Sequence, residues 1–189
     1  MLAALVNDSC TDKNTSHSYL PLYDELLHPR KERARAVLEI GVQRGGSIAL
    51  WHQYFTNATV HGIDIMETAP ELLKSQQERP RVVLHLSTDA YSADTVAKIG
   101  AISGQLDMLL DDGPHSLKSM QDVIRLYLPI IADDGILIIE DVQDYAWFEE
   151  LRSTVPEDLR LAVRTYDLRG VKNRYDDLVF VVDKSLLKC

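Results

Sequence analysis

The sequence predicts a doubly wound α/β fold, a seven-stranded sheet with an antiparallel last strand and helices on both faces. Three observations predict it. From about residue 35 onward, short apolar runs bounded by Gly, Asp or Pro alternate with segments of helical period. Several runs are apolar on both faces, as strands buried between two helical layers must be. Strand and helix alternate five times, which implies right-handed crossovers, and no repeat or linker-like tract interrupts them.

The expected strands are Ala36 to Ile40, Val60 to Ile65, Val82 to Leu86, Leu106 to Leu110, Ile136 to Ile139, Leu161 to Tyr166 and Leu178 to Val182. Helices are expected over Ser47 to Phe55, Ala69 to Glu78, Ser92 to Ile102, Ser116 to Ile131 and Tyr145 to Ser153. In the fourth of these, Val123, Leu126, Tyr127 and Ile130 share one face, with Lys118, Gln121 and Arg125 elsewhere. Asp167 to Asp177 is polar, contains Gly170 and lacks the apolar period of a crossover helix, so the last strand should return antiparallel. Residues 1–34 stand outside the alternation. Their stretch Tyr19 to Leu27 reads as a short helix, and the segment either covers the sheet's carboxyl edge as a polar lid or packs on the outside of the sheet. Residues 35–189 form the single main domain.

At 189 residues and 46% hydrophobic composition, the chain can bury one substantial core. A formal net charge of −9 repels nucleic acid phosphates and acidic membrane surfaces, so neither is an expected partner. The basic run Arg30-Lys31-Glu32-Arg33-Ala34-Arg35 carries its own glutamate and reads as a solvated connector. Cys10 and Cys189 give no disulfide framework and no zinc-type spacing, which favours a reducing, cytoplasmic compartment. Met1 to Val6 is apolar but short and lacks a basic stretch, so it fails as a signal peptide. No apolar run approaches the roughly 20 residues that span a bilayer.

Chemistry concentrates at strand ends. The fourth strand runs into Asp111-Asp112-Gly113-Pro114-His115 and the fifth into Glu140-Asp141. If these strands are neighbours, their carboxylates meet at one edge that can hold a divalent cation beside a general base. Adjacent strand residues point to opposite faces, so one carboxylate from each pair should serve one ion, unless the fifth strand has already ended at Glu140. Oxygen-only ligands favour a hard cation, magnesium before calcium or manganese. Asp111 would then face the cofactor side.

The first strand empties into Glu39-Ile40-Gly41-Val42-Gln43-Arg44-Gly45-Gly46-Ser47, where a doubly wound sheet brings backbone close to a nucleotide-like ligand. Gln43 stands where a dinucleotide fingerprint wants glycine, which disfavours an NAD-dependent dehydrogenase, and a tight strand-to-helix connection alone would also explain the glycines. The second strand ends at Asp64-Ile65, which sets a carboxylate for the two ribose hydroxyls of NAD or S-adenosylmethionine. The third leads to Asp89-Ala90, where a carboxylate can accept from an adenine amine and the next N–H can face a ring nitrogen.

The glycine turn opened by Glu39, the tips at Asp64 and Asp89 and a lone antiparallel last strand resemble class I S-adenosylmethionine-dependent methyltransferases, which share a Rossmann-like sheet. Thr11-Asp12-Lys13, His17, Tyr19, Gly45-Gly46-Ser47, Trp51, Asp111 to His115 and Glu140-Asp141 narrow the match. Between about Thr11 and Asp144 the chain resembles metal-dependent sugar O-methyltransferases of macrolide biosynthesis, together with cephalosporin-hydroxylase-like and rhamnosyl O-methyltransferases. That resemblance implies S-adenosylmethionine and Mg2+ as cofactors, with cofactor contacts at Lys13, Glu39, Gly41, Gly45, Ser47, Asp64, Ile65, Asp89, Ala90 and Asp111. It maps metal-binding aspartates onto Asp112 and Asp141, with Glu140 a further ligand or a hydrogen-bond acceptor, and a catalytic base onto His115. It also implies that residues 11–17 close over the cofactor, with Lys13 or a hydroxyl near its carboxylate, and it offers Asp24 as an acid facing the site.

His61 and His85 read as packed or edge-exposed residues, and Trp51 and Tyr54 as core. The loop Arg169 to Arg174 lies on the carboxyl-edge side if the last hairpin forms, as a solvated turn or a contact to a glycan or nucleotide-sugar phosphate. The expected acceptor is a sugar or glycan, favouring a 6-deoxyhexose such as rhamnose. The chain would act as a monomer or small homo-oligomer, or as a domain of a larger enzyme. Two other readings remain: a catechol-type O-methyltransferase and a non-catalytic adenosyl-binding module that docks a partner.

Overall fold

The computed structural model describes residues 1–74 and 79–188 of the chain. Seven strands form one sheet: β1 (Ala36–Ile40), β2 (Thr59–Ile63), β3 (Val82–His85), β4 (Leu106–Asp111), β5 (Ile131–Ile139), β6 (Val163–Asp167) and β7 (Leu178–Asp183). Their order is β3-β2-β1-β4-β5-β7-β6, and β7 alone runs antiparallel to its neighbours. The doubly wound sheet with an antiparallel last strand is thus the architecture found. Strand order reverses between β1 and β4, and that reversal opens a crevice at the carboxyl ends of the strands.

The helices are α1 (Tyr19–Leu27), α2 (Gly46–Tyr54), α3 (Ala93–Ser103), α4 (Leu117–Tyr127), α5 (Trp147–Thr154) and the single turn α6 (Arg169–Lys172). Serines start two of them. Ser92 Oγ accepts from the Thr95 N–H, and Ser116 and Ser119 cap one another's backbone in a reciprocal box, which satisfies donors that a helix N-terminus leaves open.

Pleating sorts each strand between two cores. Leu38, Leu109, Leu137, Ile139, Phe180 and Val182 pack with Met120, Val123 and Tyr127 of α4 and Phe148 and Leu151 of α5. Val37, Met108, Leu110, Ile136, Ile138 and Val181 pack with Ile48 and Trp51 of α2 and with the N-terminal segment. Leu2, Tyr19, Leu20, Tyr23 and Leu27 are all fully or nearly fully buried there. Each such side chain stabilises the fold by about 1.5–3 kcal/mol, so residues 1–34 supply core to that face as well as reaching its carboxyl edge.

Four details depart from the sequence expectation. The helix expected over Ala69–Glu78 is only a 3-10 turn, Glu71–Leu73, within the described residues, and residues 75–78 lie outside them; Leu72 and Leu73 are too few apolar positions to make a helical stripe. The helix expected to reach Ile131 stops at Tyr127, two residues before Pro129, and Ile131 already belongs to β5. Strand β6 begins at Val163, after a 3-10 turn that leaves Leu161 exposed. In the basic run, Arg30 is buried rather than solvated: its guanidinium donates to Asp183, to Ser185 Oγ and to the Asp134 carbonyl, fastening the N-terminal segment to the end of β7.

His61 and His85 stack on β2 and β3, with Nδ1 of His61 3.1 Å from Nε2 of His85. Burial, and for His61 the neighbouring ring, lowers both imidazoles, His61 to about 4. The folded state therefore resists protons that the unfolded chain takes up below the usual value of about 6.5. Stability should be full above that value and fall as pH drops towards 4. Denaturant titrations at pH 7 and pH 4.5 should show a smaller loss for His61→Leu than for the parent; equal losses would remove the pair from the acid response.

Candidate active site

Strand parity decides which acids meet. Glu39 lies two residues beyond Val37 on β1, Asp112 two beyond Leu110 at the end of β4, and Glu140 two beyond Ile138 at the end of β5. All three therefore turn to the face covered by α1. Lys13, itself fully buried, enters among them: Nζ donates to Asp112 Oδ2 at 2.7 Å and to Glu140, and lies 3.5 Å from Glu39 Oε1. Against burial, which pushes it down, the three carboxylates hold the ammonium well above its ordinary pKa.

One ammonium cannot neutralise two buried acids and the half-buried Asp112. Burial pushes Glu39 up to about 7 and Glu140 well above the carboxylate range, with Lys13 opposing both shifts. Trp51 Nε1 donates to Glu39 at 3.0 Å, so this core tryptophan also orients an acid. Tyr23 donates to the second oxygen of Glu140.

Asp141 escapes the parity rule because β5 ends at Ile139 and Asp141 takes φ +55°. His115, after the Gly-Pro turn, takes φ +52°. This left-handed conformation costs a non-glycine residue about 1–3 kcal/mol and persists only where the surroundings impose it. Its result is convergence: His115 Nε2 lies 3.8 Å from Asp112 Oδ1 and 3.7 Å from Asp141 Oδ2. Tyr19 donates to Asp141, whose carboxyl burial raises while Tyr19 and His17 pull it back. His17 Nδ1 lies 2.6 Å from the buried Asp177 Oδ1 and 3.3 Å from Asp141 Oδ1.

Beside this cluster lies a cleft of about 530 Å³ over the tips of β1, β2 and β4 and the turn after β3. Gly41, Asp64, Ile65, Asp89, Ala90, Asp112 and His115 line it. Gly41 has φ +91°, and a Cβ there would strike the Asp112 carbonyl; only glycine lets the β1 turn touch the β4 tip. Asp64 accepts from the N–H groups of Val42 and Gln43 at 2.8 and 3.1 Å and of Met66 at 2.9 Å, and these bonds overcome burial to hold its carboxyl below the usual range. Asp89 is exposed and accepts from the Tyr91 N–H at 2.9 Å. Ile65 is 79% exposed, an apolar wall open to the cleft.

Other candidates stand elsewhere. Lys13 is enclosed by acids instead of open to the cleft, because three carboxylates compete for its charge. Glu39, Gly45, Ser47 and Asp111 do not line the cleft; Asp111 accepts from Tyr91 OH at 2.8 Å, and burial pushes it up to about 7. Glu140 is taken by Lys13 and Tyr23 and does not join the Asp112–His115–Asp141 cluster. Asp24 faces away, beside the N-terminus, and accepts from Tyr54 OH at 3.3 Å. Tyr91, Tyr23 and Asp177 were not visible as site residues in the sequence; the signal for Tyr91 was its place directly after Ala90.

A family profile described as a methyltransferase domain matches residues 38–142, more than half of the chain. The chain belongs to that methyltransferase family. Among curated relatives, it is 29% identical over 169 residues to the 8-demethyl-8-alpha-L-rhamnosyl tetracenomycin-C 2'-O-methyltransferase of Streptomyces olivaceus, covering 86% of this chain and 43% of the relative. It is 27% identical to the mycinamicin VI 2''-O-methyltransferase of Micromonospora griseorubida, over 69% of this chain and 33% of that one. The methyltransferase thus spans less than half the length of these relatives. In fold it is similar to the MycE methyltransferase of mycinamycin biosynthesis, solved with Mg, SAH and mycinamycin VI (TM-score 0.69, 19% identity, 89% of this chain and 49% of that one). It is also similar to a Bacillus cereus O-methyltransferase solved with SAH (TM-score 0.67, 18% identity, 96% and 86%).

The donor set fits a divalent cation. Carboxylate oxygens of Asp112 and Asp141 lie within 4.8 Å of one another and of a His115 ring nitrogen, and the surrounding buried acids exceed the buried ammonium. The cleft has the size of a nucleoside site. Among the described residues, no helix is long and apolar enough to cross a membrane.

Lys13→Met would leave the acid trio without its counterion. Breaking a buried ion pair from one side costs about 3–5 kcal/mol. Urea denaturation in the presence of a chelator at pH 8 should show that loss; a change below about 1 kcal/mol would mean that Lys13 does not hold these carboxylates together.

Proposed function

We propose that this methyltransferase moves a methyl group from S-adenosylmethionine to a sugar hydroxyl, with a 6-deoxyhexose such as rhamnose in a glycan or glycoside as acceptor. The observation that carries the reading is the convergence of Asp112, Asp141 and His115 at the mouth of the cleft. Relatives whose names specify rhamnosyl and macrolide-sugar acceptors support the choice of substrate.

In this reading Asp64 accepts from the ribose hydroxyls with lone pairs left after its backbone bonds, Asp89 and Ala90 meet the adenine edge, and Ile65 covers the ring. The bound cofactor would supply an electrophilic methyl group, and a hard cation such as Mg2+ would lower the acceptor hydroxyl's pKa. Asp112 and Asp141 would hold that cation, and Tyr19 and His17 keep Asp141 in place. His115 is one-third exposed, so an acceptor can reach its imidazole. There it would take the hydroxyl proton as the oxygen–methyl bond forms and the sulfonium–methyl bond breaks, leaving S-adenosylhomocysteine, a contribution of about 10²–10⁴-fold.

Transfer of labelled methyl to a panel of deoxysugar glycosides, with magnesium or with a chelator, tests the reading. His115→Ala should bind S-adenosylmethionine as the parent does while kcat falls by about 10²–10⁴-fold, and Asp141→Asn should abolish the response to magnesium. Parental kcat in His115→Ala would remove the base, and chelator-insensitive transfer would remove the cation.

A further inference from the structure

The cofactor cleft occupies only one side of the carboxyl edge, above β2, β1 and β4. This leaves the side over β5, β7 and β6 for an acceptor whose hydroxyl reaches His115. That side carries an unusual surface. Tyr145, in the loop after β5, is 56% exposed, and Val171 and Tyr175, in the loop between β6 and β7, are 66% and 65% exposed. Because β7 pairs antiparallel with β5, Phe180 opposite Ile139, this second loop stands at the same edge as the site.

The two tyrosines are held to the site. Gln143 Nε2 donates to the Asp141 carbonyl at 2.8 Å, and Tyr175 OH donates to Gln143 Oε1 at 3.0 Å. The Arg169 guanidinium lies 5.6 Å from the Tyr145 ring centroid, while Phe148 meets that ring edge-on. Lys172 Nζ donates to the carbonyls of Thr15 and His17 at 3.1 and 2.7 Å, tying the loop to the N-terminal segment that also supports Asp141. Two tyrosines anchored by these contacts, Tyr145 with Arg169 over its ring and Tyr175 through its hydroxyl, yet still more than half exposed beside the Asp112–His115–Asp141 cluster, are suited to an apolar ligand.

We propose that Tyr145, Val171 and Tyr175 form a subsite for the apolar aglycone of the acceptor glycoside, which sets which glycosides are methylated. The proposal rests on the sugar O-methyltransferase reading for the identity of the ligand. The rings dock the aglycone, and the sugar joined to it spans the distance to His115. Specificity for an apolar aglycone then resides in two loops rather than in the residues that do chemistry.

The test uses binding, so it does not depend on turnover. The protein with SAH is titrated by NMR with 2-naphthyl α-L-rhamnoside and with methyl α-L-rhamnoside, for the parent and for Tyr145→Ala, Tyr175→Ala and the corresponding Phe variants. The parent should bind the naphthyl glycoside at least tenfold more tightly than the methyl glycoside. Both Ala variants should erase most of that preference and both Phe variants should retain it, with SAH affinity unchanged throughout. The proposal is overturned if the parent binds neither glycoside, if it shows no preference, or if the Ala variants keep the preference. It is equally overturned if they alter only self-association. Parallel methyl-transfer assays separate the two ideas: ring-dependent binding without transfer to any glycoside would sink the sugar O-methyltransferase reading and leave the subsite standing, whereas transfer without ring dependence would do the reverse.

Discussion

One buried ammonium organises this protein. Lys13 sits where three adjacent strands each turn an acid to the same face, and without it Glu39, Asp112 and Glu140 would crowd like charges into a low-dielectric pocket. The sheet order places those three acids side by side, and the pleat points them together. The position of the N-terminal segment follows, because Lys13, His17, Tyr19 and Tyr23 all bond to acids at that edge. A segment that reads by itself as a polar loop and a short helix is the second half of the site.

The same arrangement divides labour among similar residues. Glu39 and Glu140 are spent on Lys13, Trp51 and Tyr23, deep below the surface. Asp111 serves Tyr91 on the opposite face. Asp112 and Asp141 keep oxygens facing His115 at the cleft, one through strand parity and the other through a left-handed backbone turn just after its strand has ended. Two strained residues beside one another mark where the fold gives up local stability for a fixed geometry.

Much of this was legible in the sequence. Unbroken apolar runs such as Ile136 to Ile139 fixed a covered parallel sheet, and Asp167 to Asp177 was too polar for a crossover helix, so the antiparallel last strand followed. The rule that neighbouring strand residues diverge separated Asp111 from Asp112 correctly. Sequence reasoning failed where partners come from far along the chain. Nothing local to Lys13 reveals that Glu140 lies 127 residues away at hydrogen-bond range, and the polar run at Arg30 hides a partner at Asp183. Among the described residues of Ala69–Glu78 only the turn Glu71–Leu73 forms; two leucines in a polar stretch fit several periods.

The account turns on a cation held between Asp112 and Asp141 beside His115. Anomalous diffraction from crystals grown with SAH and Mn2+ tests it most directly. The account predicts a peak within about 2.6 Å of a carboxylate oxygen from each aspartate. A peak that touches neither aspartate, or no ordered metal at millimolar Mn2+, would contradict it.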